Sequence, residues 1–158
     1  MRAVRMFISY AHADESHKKR LEVHLAPLQR QGLCTAWHDR MIEPGATWAG
    51  EIDRNLADAD IVLLLVSADF IASDYCYEKE LAFALGRHAQ GDARVVPIIV
   101  APVDFAKTPF ARLQALPRDA KPVSTWDRPE EAWLDVAKGV RRVVEALHKN
   151  WTAKRAEP

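Results

Sequence analysis

The sequence predicts an α/β fold: a flavodoxin-like three-layer sandwich with a five-stranded parallel sheet, order 2-1-3-4-5, and helices on both faces. Three observations lead there. Ile61-Val62-Leu63-Leu64-Leu65-Val66 is an unbroken apolar run with the length and β-branching of a strand buried on both faces. Strand-like and helix-like segments alternate along the chain with short links, as crossover units of a parallel sheet require. At 158 residues the chain is one domain's worth, long enough to bury a core without disulfides or metals.

Taken in order, Val4 to Ser9 reads as the first strand, and Asp14 opens an amphipathic helix in which Leu21, Leu25 and Leu28 recur at helical spacing. Pro27 removes one helix hydrogen bond, so a kink or an early finish is expected there, with Gly32 closing the segment. Leu33 to Trp37 is the second strand. The polar connection His38 to Ala46 contains a Pro-Gly turn, and Thr47 caps a helix with Trp48, Ile52 and Leu56 on one stripe. The third strand is the Ile61 to Val66 run. A helix from about Ser73 or Asp74 to His88 follows, its apolar stripe formed by Tyr77, Leu81, Ala84 and Leu85. Val95 to Val100 is the fourth strand, although Pro97 would ordinarily mark an edge or a bulge. Pro122-Val123-Ser124 is expected to form a short fifth strand. A final helix from about Pro129 to His148 buries Trp133, Val136, Val140, Val143, Val144 and Leu147. Residues 149–158 lose this periodicity, so the expected organisation is one domain over 1–148 and a C-terminal tail or the start of a linker after it.

Composition narrows the function. Twenty-two basic residues balance 22 acidic ones, so no global field recruits nucleic acid or an anionic membrane. No apolar run reaches membrane-spanning length, and the apolar part of the N-terminus is too short for a signal peptide, which points to the cytoplasm. Cys34 and Cys76 lack CxxC or metal-ligand spacing and read as free, partly buried thiols. The six histidines form no HxxxH or HExxH pair, and no metal is assigned. Neither GxGxxG nor GxxxxGK[ST] follows a strand, which sets aside the two common glycine-cradle nucleotide sites. A phosphoacceptor site on this fold needs acidic residues after strand one, where the chain has Phe7-Ile8-Ser9-Tyr10. In a parallel sheet, ligands bind outside the carboxyl ends of the strands. The segment Ser67 to Glu80, leaving the third strand with serines, aromatics and carboxylates, is therefore where chemistry is expected.

Three separated segments together resemble a bacterial Toll/interleukin-1 receptor (TIR) domain. They are Phe7-Ile8-Ser9-Tyr10 with Asp14; Trp37-His38-Asp39-Arg40-Met41-Ile42-Glu43-Pro44-Gly45 with Trp48, similar to the family's second strand and its BB loop; and Ser67 to Glu80. Pro109 to Pro117 and the Trp126 to Leu147 ending are also similar to bacterial members. Many TIR domains are NAD+ glycohydrolases, some of which release cyclic ADP-ribose or an isomer of it. The resemblance implies a catalytic glutamate in the helix after strand three, and Glu80, followed by Leu81-Ala82-Phe83-Ala84-Leu85, matches that pattern best. The gap from Tyr75 to Glu80 is one residue longer than in several relatives, which leaves Glu78 as a rival. Residues two apart on a helix point roughly 200° from each other, so only one of the two can face a small cleft.

The resemblance further implies substrate contacts from Phe7 and Ser9 on strand one, from Trp37, Asp39 and Arg40 on strand two, and from Tyr75, which could stack on a flat ring. Core packing for the aromatics and a surface ion pair for Asp39 and Arg40 are the competing roles. Ser67 and Ser73 read as turn or helix caps, and Cys76 as packing. No cofactor is implied, since NAD+ enters as the substrate. The expected partners are other TIR domains, through the BB loop from Asp39 to Thr47, and a fused or separate sensor that detects infection. Taken together, the expectation is a cytoplasmic NADase switched on by self-association, an effector of antiviral (antiphage) defence. The alternative is a non-enzymatic TIR-TIR signalling adaptor that keeps Glu80 as a surface charge.

Overall fold

A computed structural model describes residues 2–35, 54–73 and 80–156 of the chain. Strands β1 (Val4–Ser9), β2 (Cys34–Thr35), β3 (Ile61–Val66) and β4 (Arg94–Ile99) form one parallel sheet in the order β2-β1-β3-β4. The helices are α1 (Glu15–Arg30), α2 (Ala68–Ala72), α3 (Leu81–Ala89) and α4 (Pro129–Ala156), with a further helical stretch at 54–58.

Side-chain alternation divides the sheet into two cores. Val4, Met6, Ile8 and Tyr10 lie with Ile61, Leu63 and Leu65 on one face, packed against Leu21, Leu25 and Leu28 of α1 and Trp133, Val136 and Val140 of α4. Phe7 lies with Val62, Leu64 and Val66 on the other, against Leu56, Phe70, Leu81, Ala84 and Phe110. Every residue of β3 is buried, which explains why its sequence is apolar throughout instead of alternating. β1 and β3 run in register from Met6 beside Ile61 to Ser9 beside Leu64, so their C-terminal ends open on the same rim.

The expected fifth strand is not formed. Pro122 has no N–H for a ladder, and Val123–Thr125 turns into a 3-10 helix that keeps a single link to the sheet edge, Ser124 N donating to Val100 O at 3.1 Å. Beside β4 the described residues make only an isolated bridge, Leu116 opposite Ile98, with Ile99 N donating to Leu116 O and Leu116 N to Pro97 O, both at 2.8 Å. These bonds also account for Pro97. Arg94 and Val100 donate toward the β3 side, to Asp60 O and Val66 O, whereas Pro97 shares its side with Ile99 and faces outward. The proline therefore removes no bond from the central ladder.

Three helix boundaries differ from expectation. Asp14 ends a 3-10 turn, His12–Asp14, and makes no side-chain cap; α1 begins at Glu15. α1 passes through Pro27 to Arg30, because the carbonyl that loses its donor belongs to Val23, a residue 56% exposed where water can take the bond. Gly32, at φ +74°, closes it as expected, with Leu33 N on Leu28 O at 3.0 Å. α4 continues past His148 to Ala156. What holds its last turns is His148 Nε2 on Arg2 O at 3.0 Å and the Arg2 guanidinium stacked 3.8 Å from the Trp151 ring centroid.

Candidate functional site

β1 ends at Ser9, and alternation points this hydroxyl to the face occupied by Phe7 and α3. Glu80 immediately precedes α3 and already has helical backbone angles, φ −67° and ψ −43°. The two meet: Ser9 Oγ donates to Glu80 Oε2 at 2.5 Å, with Ser9 fully buried and Glu80 2% exposed. Glu80 is thus turned inward, onto the end of a central strand. Its neighbours Leu81 and Ala84 carry the stripe into the second core, as their spacing requires.

A second buried serine–carboxylate pair stands at the end of β3. Ser67 Oγ donates to Asp14 Oδ2 at 2.5 Å and accepts from Phe70 N at 3.1 Å, capping α2. The capping role expected of Ser67 is present; its link to Asp14, which ties the exit of β3 to the entrance of α1, is not visible in any local motif. On the opposite face, the Tyr10 hydroxyl donates to Glu15 Oε2 at 3.1 Å, and the buried Lys18 ammonium bridges Glu22 at 2.8 Å and Glu15 at 3.5 Å. Burial works against the Lys18 charge, but the two carboxylates outweigh it and raise its pKa above the ordinary lysine value. This array supports the end of β1 from behind.

Of the other residues the sequence singled out, Phe7 is fully enclosed in the second core, adjacent to Ser9 along β1. Trp37, Asp39, Arg40, Tyr75 and the rival Glu78 lie outside the described residues, as do the Asp39 to Thr47 loop and Cys76. Cys34 is a free, buried thiol; burial pushes its pKa up to about 11, with Arg141 opposing slightly. Among the described residues, no cluster of His, Cys, Asp and Glu has the makings of a metal site, and no helix is long and apolar enough to cross a membrane.

Chemically, the rim offers enclosed carboxylates whose orientation is fixed by hydroxyls, and Glu80, held by Ser9, is the one at the end of β1. A charge-assisted hydrogen bond of this kind is short and directional. Such a group can stabilise a cation or orient a hydroxyl, and it needs no metal to do so.

The sequence model of the TIR domain family matches residues 6–137. The uncharacterized protein y4lF of Sinorhizobium fredii (strain NBRC 101917 / NGR234) is 47% identical over 148 residues, which cover 94% of this chain and 46% of that protein. The chain thus spans about half the length of this relative. Among solved structures, the TIR domain of the Toll-related receptor TRR-2 from Hydra magnipapillata superposes with a TM-score of 0.59 at 20% identity, covering 86% of this chain and 97% of that one. The likeness is one of fold. The TIR domains of the activated Roq1 resistosome overlap 61% of this chain and 57% of theirs, with a TM-score of 0.49 and 21% identity.

Proposed function

We propose that this chain, which belongs to the TIR domain family, is an NAD+ glycohydrolase whose single catalytic carboxylate is Glu80. The observation that carries the reading is the inward-turned Glu80, held by Ser9 at the C-terminal end of β1. An ordinary glycosidase needs a second carboxyl group because its alkoxide leaving group must be protonated. NAD+ does not impose that requirement. When its N-glycosidic bond breaks, the bonding pair goes to the pyridinium nitrogen and nicotinamide leaves neutral. What remains is an oxocarbenium-like ribose, which one carboxylate beside it stabilises. Water then adds at the anomeric carbon and releases a proton, giving ADP-ribose; attack by a group of the same molecule gives a cyclic isomer.

Ser9 is the positioning residue in this scheme, since it touches the carboxylate and fixes its direction. Phe7, enclosed beneath it, supports the strand end. Trp37, Asp39, Arg40 and Tyr75, outside the described residues, are the further substrate contacts proposed.

The burial of Glu80 supports regulation. A carboxylate only 2% exposed is not open to a dinucleotide, so the groups over it must part before NAD+ reaches it. Self-association through the Asp39 to Thr47 loop is the proposed trigger, with a sensor region or partner protein upstream of it and antiphage defence as the setting. Concentrated protein incubated with NAD+, with and without a clustering agent, should release nicotinamide in the clustered sample, and Glu80→Gln should abolish the release while keeping the wild-type melting temperature within a few degrees. Full release by Glu80→Gln would remove Glu80 from the catalytic role. Silence of the clustered wild type would favour the adaptor reading.

A further inference from the structure

We propose that the groove between the outer edge of β4 and the middle of α4 is a binding site for a nucleotide-sized phosphate ester. It lies at the far end of α3 from Glu80, about 12 Å along the helix axis at 1.5 Å per residue. It is separate from the site described above.

The cavity holds about 500 Å³, within the range of small-molecule sites. Its polar lining consists of His88, Arg94, Gln114 and Arg142; Leu113, Leu116 and Val143 are among its apolar walls. Among the described residues, no aspartate or glutamate lines it. Neither the Arg94 nor the Arg142 guanidinium forms an ion pair or hydrogen bond with another described residue, and the same holds for the Arg112 guanidinium, whose charge acts on His88. Arg87, one residue before His88, shows the contrast: its guanidinium is committed to the carbonyls of Leu56, Ala59 and Asp92. In a chain with no net charge, unpaired guanidinium groups gathered in one concavity are an unbalanced arrangement that an anion would relieve.

His88 adds a donor. Its Nδ1 accepts from Val95 N at 3.0 Å, so the neutral ring carries its proton on Nε2. Burial first, then the charges of Arg94 and Arg112, hold its pKa below the ordinary histidine value, which keeps that tautomer at neutral pH. Two carboxylates, Asp60 and Asp92, line an adjoining cavity of about 310 Å³ that shares His88 and Arg94. Asp60 is already held by Arg2 at 3.0 Å and by Arg5 N at 2.9 Å, and no ion pair joins Asp92 to Arg94.

The edge strand itself excludes a peptide strand as occupant. Adding a strand requires free N–H groups along the edge. Here Val95 N is taken by His88, Pro97 has none, and Ile99 N is taken by Leu116 O. Recognition must come from side chains, which are two guanidinium forks suited to phosphate oxygens and an apolar wall suited to a base or another flat body.

The test is isothermal titration of the whole chain with ADP, with adenosine and inorganic pyrophosphate as controls. One saturable ADP site is expected, weakened about tenfold or more in Arg94→Gln/Arg142→Gln and by added salt, with adenosine and pyrophosphate each weaker than ADP. Arg142 is exposed, so Arg142→Glu alone supplies a folded variant in which ADP should also bind less tightly. Unchanged ADP affinity in a folded Arg142→Glu and in the double variant, or no saturation at millimolar ADP, would overturn the site. Pyrophosphate binding as tightly as ADP would overturn the nucleotide assignment.

Discussion

Ser9 is the only polar residue on β1 apart from Arg5, and its hydroxyl spends its hydrogen on Glu80. Removing that donor takes one hydrogen bond from a buried carboxylate, a loss of about 1–3 kcal/mol. Ser9→Ala should therefore lower the urea midpoint and, on the proposed function, slow nicotinamide release without abolishing it, since Glu80 remains. An unchanged midpoint would mean that the contact contributes nothing to the fold. Cys34 gives a different residue-level outcome. With its thiol pushed up to about 11 by burial, Cys34 should resist alkylation at pH 8 in the native chain and react in urea, as mass spectrometry of its peptide would record. The chemical identity of these groups was readable in the sequence, and Ser9 and Glu80 were both named from it. Their meeting was not, because the contact joins positions 71 residues apart and depends on the hand of α3 relative to the alternation of β1.

At the scale of elements, the outer edge of β4 depends on a ring nitrogen. His88 at the end of α3 accepts from Val95 N only while neutral, and burial together with Arg94 and Arg112 sets its folded pKa below the unfolded value of 6.5. A depressed folded pKa means that the unfolded chain binds the proton more readily. The contribution to stability is thus complete above pH 6.5 and is lost as pH falls through the folded pKa. Urea midpoints should decline between pH 7.5 and 5, and the decline should be smaller in His88→Gln, whose amide oxygen still accepts from Val95 N; an identical decline would assign the effect elsewhere. The cap on α2 is open to the same kind of measurement. Ser67→Ala removes the acceptor of Phe70 N and the donor to Asp14, and should cost about 1–2 kcal/mol. β1 and β3 were legible to the residue, since each is a dense apolar run between polar ends. The fifth strand was misread for a physical reason: Pro122-Val123-Ser124 has strand-like composition, yet the position beside β4 is reached by a bridge at Leu116, and one bridged residue leaves no period to detect.

For the whole molecule, the two ends of the chain are joined on α4. Arg2 stacks on Trp151 and its carbonyl meets His148, so the helix turns that the sequence left as a tail are fastened to the start of β1. Trp151→Ala should lower stability by on the order of 1–2 kcal/mol, from lost apolar contact and the cation–ring interaction, as measured by urea unfolding. No change would return these turns to the status of a loose extension. They escaped the sequence reading because their apolar spacing thins to a single tryptophan, whose partner stands at the other terminus. The layered plan, with apolar stripes on α1 and α4 closing one face and α3 the other, was legible because those periodicities are strong. β1 is the hinge between the two layers: Ser9 belongs to one side and Tyr10, its neighbour, to the other. Deleting a single residue ahead of Ser9 would invert that assignment, sending the phenol toward the Glu80 carboxylate and the serine into the lysine–glutamate array. The rim's chemistry rests on a parity, one that length changes in the first ten residues would scramble while leaving composition nearly untouched.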